Sequence, residues 1–162
     1  MSVGVTESAK RGTVLSCCIS VKKGTRKVPV DSIEVCVGEG IKGDAHAGNW
    51  HRQVSLLGNE SVDTMREKGA QLHPGDFAEN ILTSGLVLRE FPVGTVFAIG
   101  DALLAVTQIG KVCHHDCEIR KLIGTCVMPT EGIFTVVLRG GIIKPGDSIR
   151  VVDAKELLHE TN

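Results

Sequence analysis

The run TVFAIGDALLAVTQI, Thr95 to Ile109, places an apolar segment on each side of Gly100-Asp101. A Gly-Asp pair between two such runs is a tight-turn signal, so Thr95–Ile99 and Leu103–Ile109 are expected to form a hairpin. The same reading extends downstream to strands at Ile133–Leu138 and Ser148–Val152, with turns at Gly140-Gly141 and Pro145-Gly146-Asp147. Upstream, Thr13–Val21, Val28–Val37 and Arg52–Leu57 carry the apolar bulk of strands. Lys22 to Lys27 reads as an exposed basic turn, and the glycine-rich stretch Gly38–Asn49 as a long loop. One helix is expected, capped by Asn59 or Ser61, with Val62, Met65 and Arg66 on one face through Glu67 and a stop at Gly69. Leu72–Leu82 reads as a Pro-Gly loop entering a strand, and Cys113–Leu122 as a short helix. Strands at this spacing with one or two helices predict a mostly-β barrel or barrel-like sandwich. The expected organisation is a flexible tail over residues 1–12, one barrel domain over 13–153, and a polar tail over 154–162.

Composition narrows the function. The chain has 162 residues, the size of one domain, and buries enough surface to fold without staples. Eighteen Lys and Arg against nineteen Asp and Glu leave a net charge of -1, which speaks against a dedicated nucleic-acid or anionic-membrane binder. Met1–Arg11 holds no apolar signal core, and no run is long enough to span a bilayer, so a cytoplasmic protein is expected. Glycine makes up 19 of 162 residues, above the roughly 7% of average usage. Many tight turns and short strands follow. The six cysteines are too few and too irregularly spaced for a disulfide scaffold. Cys17 and Cys18, inside an apolar run, read as core.

Three constellations carry chemistry. The first is Gly43-Asp44-Ala45-His46-Ala47-Gly48 with His51-Arg52-Gln53. Glycines let backbone N–H groups gather around an anion, and Arg52 offers a planar fork for phosphate or carboxylate. An ordinary glycine-rich surface turn is the competing reading. The second is Gly75-Asp76-Phe77-Ala78-Glu79-Asn80, whose acids and amide either cap a turn or accept hydrogen bonds from an N–H-rich heterocycle. The third is Cys113-His114-His115-Asp116-Cys117, with Lys111 and Arg120 close by. A thiol among cations gains thiolate character and becomes a nucleophile or a soft-metal ligand. Cys113, Cys117 and a histidine as a zinc site, or both cysteines as core, are the alternatives.

Taken in order, GIKGDAHAG with HRQVSLL, then PGDFAENIL, then GDALLAVTQIGKVC resemble the MOSC domain, named after the C-terminal part of molybdenum cofactor sulfurases. The likeness runs from about Val14 to Val152, and the compact length resembles that of the stand-alone bacterial members. It implies a mostly-β barrel of MOSC type with small flanking helices, association with molybdenum cofactor (Mo-molybdopterin), and a role either in sulfur carriage or in the reduction of N-hydroxylated compounds. The family's hallmark cysteine maps to Cys113, five residues after Gln108. Asp44, His46, Arg52, Glu79 and Asn80 map to its other motifs. Reductase members approach that cysteine through a Pro-Arg-x-Pro-Cys-like run; here the approach is Ile109-Gly110-Lys111-Val112-Cys113, with Lys111 the nearest cation.

The leading expectation is therefore a cofactor-handling protein, and an enzyme only if it proves to be a molybdenum-dependent oxidoreductase or a sulfur transferase. Lys42, Gly43, Arg52 and the glycine loop hold the anionic pterin in this reading, with Asp44, His46, Gln53, Gln108 and Lys111 beside them. Asp76, Glu79 and Asn80 accept from its N–H edge. Cys113 ligates molybdenum or carries a persulfide, and Cys117 is a second ligand or a resolving thiol. The implied partner is a molybdoenzyme or a cofactor-biosynthesis protein. A non-catalytic oxyanion- or cofactor-binding module and a small zinc-stabilised interaction domain remain as alternatives. Pyridoxal phosphate is not expected, because no lysine stands in a Schiff-base setting.

Overall fold

The computed structural model describes residues 11–110, 131–153, 155 and 157. In chain order they form β1 (Arg11–Ile19), β2 (Val28–Val30), β3 (Ile33–Cys36), β4 (Gly40–Ile41), β5 (Val54–Gly58), α1 (Asn59–Arg66) and β6 (Ile81–Ser84). After a short 3-10 turn at Leu88–Glu90 come β7 (Val96–Ile99), β8 (Ala102–Ile109), β9 (Ile133–Arg139), β10 (Gly141–Ile143) and β11 (Ser148–Val152). Seven strands close a barrel in the order β11-β7-β8-β9-β5-β6-β1, with β1 pairing back onto β11. β2 hangs on the free part of β1, and β10, β3 and β4 make a small second sheet.

The hairpin forms as its turn chemistry dictates. β7 and β8 pair from Val96↔Ala105 to Ile99↔Ala102, leaving Gly100-Asp101 as the two-residue turn. Gly100 has φ +57°, and a Cβ there would meet the Ile142 carbonyl at 2.9 Å, so both backbone and space require glycine. β5 and β6 run parallel, whereas all other paired strands among the described residues are antiparallel. The connection between β5 and β6 crosses over through α1 and the loop that follows it.

Alternation of strand side chains makes two apolar layers. Val14, Cys17, Leu56, Phe97, Leu104 and Ile133 belong to the main core. Leu57, Leu82 and Phe134 form a second cluster with Val62, Leu72 and Phe77 beneath α1. Each such side chain contributes roughly 1.5–3 kcal/mol by leaving water. All five residues of β5 are buried, because α1 and its loop cover the strand's other face. Cys17 and Cys18 are both fully buried, and burial pushes each thiol up to about 12, so neither supplies thiolate.

Several expectations change. Val28–Val37 is two strands: β2 pairs with β1, and β3 turns away at Asp31-Ser32 to join β10 and β4. Pro29 sits in β2, where the missing N–H is tolerated at a sheet edge. Gly140-Gly141 is not simply a turn, since β10 begins at Gly141. Neither Asn59 nor Ser61 caps α1; Gly58 occupies the N-cap without a side-chain bond, and Asn59 Oδ1 instead accepts from Arg66 Nη1 at 2.7 Å. β1 starts at Arg11, two residues before the expected boundary. Lys27 is the clearest difference: it is buried, not part of an exposed turn. The helix expected at Cys113–Leu122 lies outside the described residues. No helix among the described residues is long and apolar enough to cross a membrane.

Candidate site around Lys27, Asp44 and the Trp50–Arg52 loop

The site grows from the end of β1 and the start of β5. The loop between β4 and β5 folds back onto Ser20, with Ala45 N donating to its carbonyl at 2.8 Å. This carries Asp44 inward against Lys27, whose Nζ lies 2.7 Å from Oδ1; both side chains are fully buried. Asp44 Oδ1 also accepts from Ser20 N at 3.1 Å, and Oδ2 accepts from His46 N at 3.1 Å. Burial pushes the Asp44 carboxyl up, but the hydrogen bonds it accepts and the lysine's charge outweigh it, holding the group well below the usual carboxylate range. Burial lowers the Lys27 ammonium from its ordinary value, against the pull of Asp44.

The glycine loop does not present an open nest of N–H groups. Asp44 N, Ala45 N, Ala47 N and Gly48 N bond to carbonyls of Ile41, Ser20, Asp44 and Glu39, and His46 N bonds to the Asp44 side chain. The loop is spending its donors on its own shape. Gln53 pins it to the barrel, donating to Gly48 O at 3.1 Å and accepting from Val137 N at 3.0 Å. Lys42 is exposed, its ammonium 3.0 Å from Glu34 Oε2.

What the loop does present is a cation–aromatic face. Trp50, the single tryptophan, donates from Nε1 to His46 O at 2.8 Å and lies parallel to the His46 ring at 6.2 Å between centroids. The Arg52 guanidinium sits 4.7 Å from the Trp50 ring centre and 5.5 Å from that of Phe134, and Lys23 Nζ is 4.8 Å from the indole. Arg52 Nε is buried without a hydrogen-bond partner, and no carboxylate among the described residues pairs with the guanidinium. Gln108 closes this side: its Oε1 is 2.8 Å from His51 Nε2, and its Nε2 donates to Gly110 O at 2.7 Å. Thr107 Oγ1 donates to the His51 carbonyl.

The 75–80 loop is built differently. Glu79 Oε2 accepts from Gly75 N at 2.8 Å and Oε1 from Phe77 N at 3.2 Å. Burial pushes its carboxyl up to about 7. Asn80 Oδ1 accepts from Ser55 N and Oγ, and Nδ2 donates to Cys18 O at 3.0 Å. Asp76 closes its turn through His73 N at 2.8 Å, with Arg26 at 4.0 Å. Glu79 and Asn80 thus spend these acceptors on the chain itself. Gly75, φ +88°, packs so tightly on Lys27 that a Cβ would lie 2.1 Å from the Lys27 carbonyl. The loop is thereby fixed against the back of the Lys27–Asp44 pair.

Asp44, His46, Arg52, Gln53 and Gln108 therefore belong to one neighbourhood, while Lys42 is drawn to Glu34. Lys111, Cys113 and Cys117 lie outside the described residues. Sequence reasoning missed Lys27 and gave Trp50 no role. The signals were there: Lys27 opens directly into the strand Val-Pro-Val, and a lone tryptophan in a chain with 3% aromatics and no tyrosine flanks the arginine.

A small closed seven-stranded barrel with one parallel pair defines the class of fold. Residues 43–150 match the family model of the MOSC domain, and the chain belongs to that family. The YuaD protein of Bacillus subtilis shares the fold at a TM-score of 0.73 and 20% identity, over 87% of this chain and 95% of that one. YiiM of Geobacillus stearothermophilus is similar at a TM-score of 0.68 and 21% identity, over 88% of this chain and 75% of that one. YiiM of Escherichia coli follows at 0.64 and 21%, over 88% and 70%. No curated protein sequence matches the chain significantly.

Proposed function

We propose that the chain binds an anionic, phosphorylated pterin cofactor of molybdenum at the Trp50–Arg52 face, and that Cys113 ligates the metal or carries sulfur to it. The observation that carries this reading is Arg52. A partly buried guanidinium with an orphaned Nε, and with no carboxylate paired to it among the described residues, is costly unless a ligand completes it. A phosphate matches its fork, and the flat indole of Trp50 offers a planar heterocycle a face to lie on. These residues fit such a group, and membership of a family named for molybdenum cofactor sulfurases supports the choice. When bound, the cofactor supplies oxygen-atom or sulfur transfer at molybdenum. The chain's own part is to hold and orient: Arg52 and Lys23 bind charge, Gln53 and Gln108 fix the loop ends, and Glu79 and Asn80 brace the neighbouring loop. A molybdoenzyme or cofactor-biosynthesis protein as recipient belongs to the same proposal.

The test is elemental analysis of protein from a molybdate-replete host, wild type beside Arg52→Met and Cys113→Ser. Molybdenum near one per chain is expected, reduced about 10- to 100-fold by Arg52→Met, as loss of charged hydrogen bonds implies, and absent in Cys113→Ser if that thiol is the ligand. Full loading of Arg52→Met overturns the binding face. Stoichiometric zinc in place of molybdenum overturns the cofactor reading.

A further inference from the structure

The Lys27 ammonium has three protons and three acceptors. Its Nζ lies 2.7 Å from Asp44 Oδ1, 3.0 Å from Ser20 Oγ and 3.1 Å from His46 Nδ1. Ser20 Oγ donates its own proton to Lys22 O at 2.9 Å, so toward Lys27 it accepts. The Asp44 carboxylate can only accept. With both side chains of the ion pair fully buried, a neutral amine would leave Asp44 as an unpaired buried charge, so the lysine stays an ammonium. Its third N–H therefore meets His46 Nδ1, which must present its lone pair. A proton on Nδ1 would face that ammonium and find Asp44 Oδ2 only at 3.7 Å, too far for a hydrogen bond.

We propose that Lys27 is a positioning residue that locks the His46 imidazole in the Nε2–H tautomer, so that His46 meets an incoming group as a hydrogen-bond donor. A neutral ring carries one proton, and with Nδ1 occupied that proton sits on Nε2. Nε2 has no partner among the described residues, and the side chain is 24% exposed. The ring's plane is fixed parallel to Trp50, whose Nε1 holds the His46 carbonyl. A ring in this state offers no free lone pair to a transition metal. It suits an oxyanion, such as a phosphate oxygen, at the same Trp50 ring that Arg52 packs against. The tautomer stands on the lysine geometry alone; its use toward an anion rests on the binding face proposed above.

The test is a long-range proton–nitrogen correlation spectrum of ¹⁵N-labelled protein at mildly alkaline pH. The His46 ring, one of six histidines, is assigned by its loss in His46→Gln. The expected pattern is a pyrrole-type Nε2 and a pyridine-type Nδ1. In Lys27→Met, which keeps the length and removes the donors, the ring is expected to relax to a mixture of tautomers. A wild-type ring protonated on Nδ1, or an even mixture, overturns the proposal, whether or not Lys27→Met folds. A folded Lys27→Met that keeps a pure Nε2–H ring overturns the role of the lysine. Inorganic phosphate is then titrated in. A shift at His46 Nε2 supports the donor role, whereas an Nε2–H ring untouched by phosphate overturns its use toward anions and leaves the tautomer standing.

Discussion

Glu79 shows how one residue can make stability depend on pH. Its carboxyl, at 4.5 in an ordinary setting, is pushed up to about 7 by burial. Between those values the folded chain binds a proton that the unfolded chain has released. Its contribution is therefore complete below about 4.5 and lost as pH climbs through about 7. At about 1.4 kcal/mol per unit, the loss is on the order of 3 kcal/mol. Asp44 works in the opposite sense: its carboxyl is held below 3.8, so its contribution is present above that value and fades as acid is added. Wild type is expected to be less resistant to urea at about pH 8 than at about pH 5, with Glu79→Gln flattening the difference. Parallel slopes for the two proteins would sink this account. Arg52 offers a second test on the same scale. Its Nε is buried and unpaired, so Arg52→Met should change folding stability by less than about 1 kcal/mol while emptying the binding face. A large loss of stability in the thermal melt would mean that the guanidinium is structural.

Strands and loops were read unevenly from the sequence, and partner distance explains why. The β7–β8 hairpin is legible because its partners are neighbours and its turn is a Gly-Asp pair. The break inside Val28–Val37 is not, because β2 pairs with β1 while β3 pairs with β10, more than a hundred residues downstream. Lys27 was hidden by its company of exposed basic residues; what buries it is Asp44, seventeen residues on. The glycine loop's density of polar groups is legible in the sequence, yet only contacts made on folding show that its N–H groups are used internally. Asn80 is the element-scale counterpart. Just ahead of β6, it bonds Ser55 in β5 and the Cys18 carbonyl in β1, clasping three neighbouring strands. Asn80→Ala strands these buried groups and is expected to cost about 2–4 kcal/mol in urea denaturation. A cost under about 1 kcal/mol would show that water replaces the clasp. Gly75→Ala should be as severe, because the added methyl runs into the Lys27 carbonyl.

At the scale of the whole molecule, the barrel is closed by an uneven set of seams. β8 and β9 pair through six residue positions, whereas β1 meets β11 through three, with Arg11 opposite Arg150. Hydrogen exchange should therefore open β1–β11 amides first and β8–β9 amides last. Equal protection along both seams would contradict that order. The seam count has one more consequence. Strands in an antiparallel ring point alternately up and down, like beads of two colours on a necklace. Seven beads cannot alternate all the way round; somewhere two of one colour must touch. Here they touch at β5 and β6. Two strands pointing the same way oblige the chain to travel back along the barrel between them. The excursion through residues 59–80, which brings Gly75 and Glu79 up to Lys27, is in that sense a debt owed to an odd number.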